Sequence, residues 1–355
     1  MVCHGEGAGP HRGAATVTRP SQLGNRPAPP ASARAIAALL LLSGAILGCS
    51  APERSTAGPS TQHTSVSSSP PSPEATTTTV PSLPEVGAYT PVAGEPGSDA
   101  KAAAAEFIER VGTYSNGEGP DLLTRETAEL SNPGASRDAL APLASSDADA
   151  VSEVVYPQLG GLLTNSASVM TVVRQHLRRD GEVVTSTRTY DIRVEFDGVT
   201  WRVVDVVPPT TLPGNAPSPA ATELIAQLGP ELPDTALQDL NSGGVDPRLL
   251  ELLGQVTEAM QFSVTVFAGG HPAEVYGTTS QSNHTAGRGV DIWQVGGQSV
   301  FDQRNAPSSP ARQLAELALA AGATEVGAPW DLDGPGGASF ANDLHQDHLH
   351  LAFDG

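Results

Sequence analysis

From Ser50 to about Glu85 the chain is serine, threonine and proline with almost no large apolar residue, so this stretch cannot bury enough surface to offset the entropy of folding. Prolines at 52, 59, 70, 71, 73, 81 and 84 bias it toward an extended polyproline II path. At ~3.1 Å per residue its reach is on the order of 100 Å. The rest of the chain beyond this stretch, roughly 270 residues, is enough for two ordinary domains. A shorter break runs through Pro208-Pro209-Thr210-Thr211-Leu212-Pro213-Gly214 to Pro217 and Pro219. The expected organisation is a tether over 49–87, a domain over 88–207, a linker over 208–220 and a second domain over 221–355.

Ahead of the tether, residues 1–34 carry Arg12, Arg19, Arg26 and Arg34 against Glu6, and then comes the apolar run Ala35 to Leu47. These are the basic and apolar regions of a signal peptide over 1–48. The run is well short of the ~20 apolar residues that a spanning helix needs. Ile46-Leu47-Gly48-Cys49 resembles the lipobox of bacterial lipoproteins. The resemblance implies cleavage before Cys49, lipidation of its thiol, acylation of the new N-terminus, and anchoring at the extracytoplasmic face of the cell membrane. Several acyl chains make such an anchor durable.

The only other cysteine, Cys3, leaves with that leader, so the mature chain has no thiol beyond its lipid attachment. Disulfides, cysteine–zinc sites and cysteine nucleophiles are excluded, and a metal would have to be held by His, Asp or Glu. Cleavage also removes four arginines and one glutamate, which moves the formal charge from −20 to −23. A chain this acidic has no electrostatic footprint for nucleic acid. Lys101 is the only lysine against eighteen arginines, a bias that reads as genome composition and says nothing about mechanism.

The pattern of the first domain is a helix and then antiparallel strands. Ala103, Phe107 and Val111 recur at four-residue spacing and predict a helix over 98–111. Val169 to Leu177 leads through Arg179-Asp180-Gly181 into Val183–Phe196, and Asp197-Gly198 turns into Val199–Val207. Asp-Gly between alternating apolar runs is a strong hairpin signal. This element order resembles the cystatin-like cone fold of the nuclear transport factor 2 type. That fold hosts enzymes and inert modules alike, so it supplies no function and leaves 88–207 open as a surface for another envelope protein. His176, alone on a strand, reads as structural. Residues 117–165 read as helical or irregular.

In the last third, Asp246-Pro247 caps a helix to about Met260 with Leu249, Leu250, Leu253 and Val256 on one face. Beyond it the pattern reads as a strand at 263–267, a loop over 269–287, a strand at 289–293, a helix over 309–321 and a closing strand at 348–353. Two constellations lie here: Ser282-Asn283-His284-Thr285-Ala286-Gly287-Arg288-Gly289-Val290-Asp291, and His345-Gln346-Asp347-His348-Leu349-His350. Side chains alternate along a strand, so His348 and His350 share one face while Leu349 and Leu351 point to the core. Asp291 likewise faces away from Val290 and Ile292. Two His and one Asp suit Zn2+ and leave a fourth position for water, as in a catalytic site.

Ser-x-His-x-x-Gly-x-x-x-Asp with a late His-x-His resembles the zinc peptidases that group D-alanyl-D-alanine carboxypeptidases with lysostaphin-type and hedgehog-type domains. The resemblance implies His284, Asp291 and His350 as metal ligands and His348 as the catalytic base or transition-state stabiliser. His345 resembles a further active-site His of murein endopeptidase relatives, although strict alternation puts it on the other face unless the chain bends. Ser282 and Arg288 are the substrate-binding candidates, because the upstream arginine of relatives is replaced by Gly269-Gly270-His271-Pro272. Trp330 to Gly337 mimics the start of a calcium loop without its later ligands and reads as a turn-rich rim. A Ser282/His284/Asp291 triad would leave the terminal His pair unexplained.

The chain is therefore expected to be α+β, with an N-terminal cystatin-like domain and a C-terminal zinc domain on an antiparallel sheet. The expected function is an envelope-anchored zinc metallopeptidase that cuts peptide bonds in peptidoglycan stem or cross-link peptides. The alternative is a catalytically inactive, zinc-containing lipoprotein that binds wall or partner.

Overall fold

The computed structural model of the protein describes residues 81–355, which fall within one compact unit. The signal peptide, Cys49 and the tether up to residue 80 lie outside the described residues. Among the described residues no helix is long and apolar enough to cross a membrane.

The architecture is mixed α+β. The N-terminal half runs α1 (Ser98–Val111), α2 (Gly119–Thr127), α3 (Pro133–Leu140), β1 (Asp149–Leu162), β2 (Ser166–Arg179), β3 (Glu182–Phe196) and β4 (Trp201–Val207). The four strands form an antiparallel meander in sequence order. Asp180 and Gly181, at φ 52° and 81°, close the β2–β3 hairpin with positive φ at both central positions, the two-residue turn whose twist matches that of the strands. At the next hairpin Phe196 pairs with Trp201, so the turn has four residues, and the Asp197 carboxylate accepts from the Val199 and Thr200 amides. The apolar face of α1 (Ala100, Ala104, Phe107, Ile108, Val111) packs with Val169, Val173, Ile192 and Val194 into one core.

β1 is an element that the sequence pattern hides. It carries Pro157 and the pair Gly160-Gly161, residues that weaken a strand reading, and its pairing with β2 shifts register at Val154/Tyr156 and Leu159/Gly161. An edge strand tolerates all three features, because one side of its backbone is free of ladder bonds.

The C-terminal half runs α4 (Pro219–Leu228), α5 (Asp234–Ser242), α6 (Pro247–Ala259), β5 (Phe262–Val266), β6 (Gly289–Val295), β7 (Gln298–Ser299), α7 (Val300–Gln303), α8 (Pro310–Ala320), β8 (Glu325–Gly327), β9 (Ser339–Phe340) and β10 (Leu349–Ala352). Its sheet has the order β5-β6-β10-β8-β9, with β7 on β6, and is antiparallel except for the β8–β9 pair. Leu249, Leu250, Leu252, Leu253 and Val256 of α6 bury against Val264, Val290, Ile292, Leu349 and Leu351 in a second core. Asp246 caps α6 through the Arg248 amide, and its own amide donates to the Gly287 carbonyl, which ties the helix start to the loop below.

Candidate metal centre

The last strand sits in the middle of its sheet, and that placement builds the site. β10 pairs with β6 so that His350 lies opposite Asp291, while Leu349 faces Ile292 and Leu351 faces Val290. The four apolar residues are fully buried in the core, so the period of two leaves His350 and Asp291 together on the other face. His284 sits on a 3₁₀ turn, His284–Ala286, that ends at Gly287 with φ 72°. A Cβ on Gly287 would lie 2.1 Å from the Gly244 carbonyl oxygen, so only glycine allows this turn to fold back over β6. Gly289 leaves room for the ring of His284, whose Cδ2 would be 3.1 Å from an added Cβ.

Three donor atoms converge. His284 Nε2 is 3.2 Å from Asp291 Oδ1 and 3.0 Å from His350 Nδ1, and His350 Nδ1 is 3.0 Å from the same carboxylate oxygen. Ligand atoms on a tetrahedral ion with bonds of about 2.0–2.1 Å are about 3.3 Å apart, so the set fits zinc with little adjustment. The other atoms of these side chains are engaged in the way metal ligands require. His284 Nδ1–H donates to the Phe267 carbonyl, and His350 Nε2–H donates to Glu325 Oε2 at 3.3 Å, so Nε2 of His284 and Nδ1 of His350 are the nitrogens that face the site. Asp291 Oδ2 accepts from Gln158 Nε2 at 2.7 Å.

His348 and His345 stand beside this triad. His348 Nδ1–H donates to Asp347 Oδ1 at 2.6 Å, and its Nε2 lies 3.9 Å from Asp291 Oδ2. A 3₁₀ turn at Leu344–Gln346 supplies the bend that strict alternation lacks, and brings the His345 ring to 5.0 Å from His348 and 5.8 Å from His350, centroid to centroid. His345 Nδ1–H donates to Asn342 Oδ1 at 2.8 Å.

The charges are set by burial and by each other. Burial alone would raise the Asp291 carboxyl, but His284 and His348 beside it and hydrogen bonds from His284 and His350 hold it well below the carboxylate range. Burial disfavours a charged His350, yet hydrogen bonds to Asp291 and Glu325 lift it to about 9. Burial, with imidazole neighbours, pushes His345 and His271 well below the usual histidine range, so both are neutral. Asp347 is also buried, and Lys101 and His348 bring it below its ordinary value.

Sequence reasoning missed two participants. The first is His271, whose ring stacks on that of His284 at 3.8 Å and 12°, with a donor atom within 4.8 Å of those of His284 and Asp291. Its Nδ1–H donates to the Pro272 carbonyl at 2.7 Å. The clustering of histidines in this half was the available signal. The second is Lys101, fully buried on α1, with Nζ 2.5 Å from both Glu95 Oε1 and Asp347 Oδ2. Its rarity in the sequence gave no hint of this position.

A cavity of about 650 Å³ opens over the donors, with His271, His284, Asp291, His345, His348 and His350 on its floor. Leu159, Gly160, Gly161 and Leu162 of β1 form one wall, and Tyr276, Ser282, Asn283, Glu325, Phe340 and Asp343 contribute to the others. Ser282 lines the cavity, but its Oγ accepts from the His284 amide at 3.2 Å and so shapes the turn. Arg288, expected at the substrate, is not among the lining residues. Its guanidinium lies beside Gly355, where a Cβ would meet Nη1 at 1.8 Å, and its backbone is pinned there because its amide donates to the Asn283 carbonyl and its carbonyl accepts from the Phe353 amide. Asp331 and Asp333 bond the amides of Gly334, Ala338 and Ser339, as a turn-rich rim requires. Compared with protein-family models, curated proteins and solved structures, the chain matches none.

Proposed function

We propose that the protein is a zinc metallopeptidase of the cell envelope that hydrolyses an amide bond in the peptide part of peptidoglycan. The observation that carries this is the convergence of His284 Nε2, Asp291 Oδ1 and His350 Nδ1 within 3.2 Å of one another, beside a His348 whose Nδ1 is already committed to Asp347. Zinc bound there supplies a Lewis acid for a carbonyl oxygen and a water acidic enough to ionise near neutral pH. His348 Nε2, the free nitrogen of an imidazole whose tautomer Asp347 fixes, accepts the proton of the attacking water and returns it to the departing amine. The neutral His345 offers its Nε2 lone pair to the same cavity and orients a substrate N–H or a water. Glu325 and Asp343 on the walls disfavour a free C-terminal carboxylate, which supports an internal amide over a terminal one.

The finer fold reading accords with this: a cystatin-like N-terminal meander with α1 across it, and a hedgehog- or D-Ala-D-Ala-peptidase-like sheet carrying the donors. The lipid on Cys49 and the tether would hold the site within reach of the wall. The test is metal content and digestion of peptidoglycan fragments by the full chain. His350→Ala is expected to lose a zinc stoichiometry near one per chain. His348→Ala is expected to keep zinc and lose turnover by about 10²- to 10⁴-fold. A wild-type chain that binds zinc and leaves every peptide intact favours the wall-binding lipoprotein instead.

A further inference from the structure

The residues that form the donor set all lie in the C-terminal half, yet the groups that hold several of them come from the N-terminal half. Gln158 on β1 is fully buried, with Nε2 donating to Asp291 Oδ2 at 2.7 Å and Oε1 accepting from the Thr265 hydroxyl. The Thr265 carbonyl accepts from Thr189 Oγ1 of β3 at 2.6 Å, which ties the same residue to the meander, and the amide of Gln158 cannot flip without losing its bonds to Asp291 and to the Thr265 hydroxyl. Lys101 Nζ bridges Glu95 and Asp347, and the Leu159 amide donates to the same Asp347 oxygen at 3.3 Å. Tyr156 OH donates to the Asp347 backbone carbonyl at 2.8 Å. Asp347 is thus held at its backbone and at one carboxylate oxygen by the N-terminal half, and the other oxygen is left for His348 Nδ1–H.

We propose that the N-terminal half is a working part of the metal centre, with Gln158 of β1 as a positioning residue for Asp291 and Lys101 of α1 as a positioning residue for the Asp347–His348 pair. The proposal rests on the metal-centre reading above and adds that residues 221–355, which contain every ligand, do not make a competent site alone. Gln158 spends one lone pair of the ligating carboxylate and fixes which oxygen, Oδ1, faces the two imidazoles. Groups of this kind are worth about 10- to 100-fold in metal affinity. Lys101 gives the fully buried Asp347 a cation on the side away from His348, which holds the carboxylate in position.

The experiment compares the full chain with Gln158→Met and Lys101→Met, which keep side-chain length and remove the polar end. Zinc alone is the probe, titrated against a chromophoric chelator, and the Nδ1–H proton resonance of His348 is tracked in the zinc-free chain. Gln158→Met is expected to weaken zinc binding about 10- to 100-fold with its circular dichroism unchanged. Lys101→Met is expected to leave zinc affinity near wild type, to displace the His348 resonance, and to lower kcat about 100-fold at constant KM, the cost of a misplaced group of about 1 Å. Wild-type zinc affinity in Gln158→Met together with an unmoved His348 resonance in Lys101→Met overturns the proposal. Should Lys101→Met fail to fold, the Gln158→Met affinity decides alone. A wild-type chain that binds no zinc sinks the metal-centre reading, and the His348 resonance then still decides whether Lys101 positions that ring.

Discussion

Tyr156 of the N-terminal meander stacks on Trp293 of the C-terminal sheet, with ring centroids 4.7 Å apart and planes at 16°. The contact couples two hydrophobic cores that share no apolar residues, and the Lys101–Asp347 pair is buried in the same junction. Separation of the halves would take from Asp347 its buried cation and leave Lys101 with Glu95 alone. The halves are therefore expected to unfold in one transition, with tryptophan fluorescence and far-ultraviolet circular dichroism coincident in urea. Tyr156→Ala should cost about 3 kcal/mol for the lost ring. Tyr156→Phe should cost about 1 kcal/mol for the hydrogen bond to Asp347. Two separated transitions in the wild type would contradict the coupling.

Zinc binding should release a proton from His350. Burial works against its charge, but Asp291 and Glu325 hold the proton on the ring up to about pH 9 in the metal-free chain. A metal ion and a proton cannot share Nδ1, so apparent affinity should rise about tenfold per pH unit between pH 7 and 8 and level off above about 9. The stability linkage has the matching sign. A histidine raised from 6.5 to about 9 stabilises the metal-free fold fully below pH 6.5, and that contribution is lost as pH rises through about 9. The zinc-induced gain in Tm should therefore be larger at pH 8 than at pH 6. Calorimetric titration in two buffers of different ionisation enthalpy counts the released proton directly.

Gly327 marks the position of His345. A Cβ there would stand 2.5 Å from His345 Cδ2, on a strand residue paired with His350. The ring can yield only by swinging toward the cavity, since Phe340 packs edge-on against it at 4.9 Å. Gly327→Ala should leave zinc content unchanged and lower turnover about tenfold or more, through a displaced His345 rather than a lost ligand. Parallel metal analysis and kinetics distinguish the two.

The convergence of His284, Asp291 and His350 was legible in the sequence because its logic is local. The alternation of Leu349-His350-Leu351 and Val290-Asp291-Ile292 determines which side chains leave the core, and Gly287 and Gly289 announce a loop that folds back. His345 was half legible: its presence could be read, but the bend that turns it inward is a 3₁₀ turn with no strong residue signal in Leu344-His345-Gln346. Everything carried by β1 stayed hidden. Pro157 and Gly160-Gly161 conceal the strand, and the partners of Tyr156, Gln158 and Leu159 lie well over a hundred residues away, beyond any periodicity. Lys101 shows the same limit, since its relation to Asp347 spans 246 positions. Arg288 shows the converse, a residue inside the motif that the fold directs elsewhere.

His271 poses the sharpest question about coordination, because a donor of its ring lies within 4.8 Å of those of His284 and Asp291 and could be read as a fourth ligand. Ring geometry argues otherwise. An imidazole binds a metal in its own plane, and the rings of His271 and His284 are stacked with centroids 3.8 Å apart and planes nearly parallel at 12°, so an ion in the plane of one lies off the plane of the other. The stack instead fixes the rotation of His284, while Asp239, accepting from the Ala268 and Gly269 amides at 2.8 Å, holds the loop that delivers it. His271→Phe, which keeps the stacking and removes both nitrogens, should retain one zinc per chain with affinity within about tenfold of wild type. His271→Ala should bind more weakly than His271→Phe, since it frees the His284 ring. X-ray absorption on the zinc-loaded chain counts the imidazoles at the metal: two in wild type and in His271→Phe is the expected result, and three falling to two would make His271 a ligand and the centre closed.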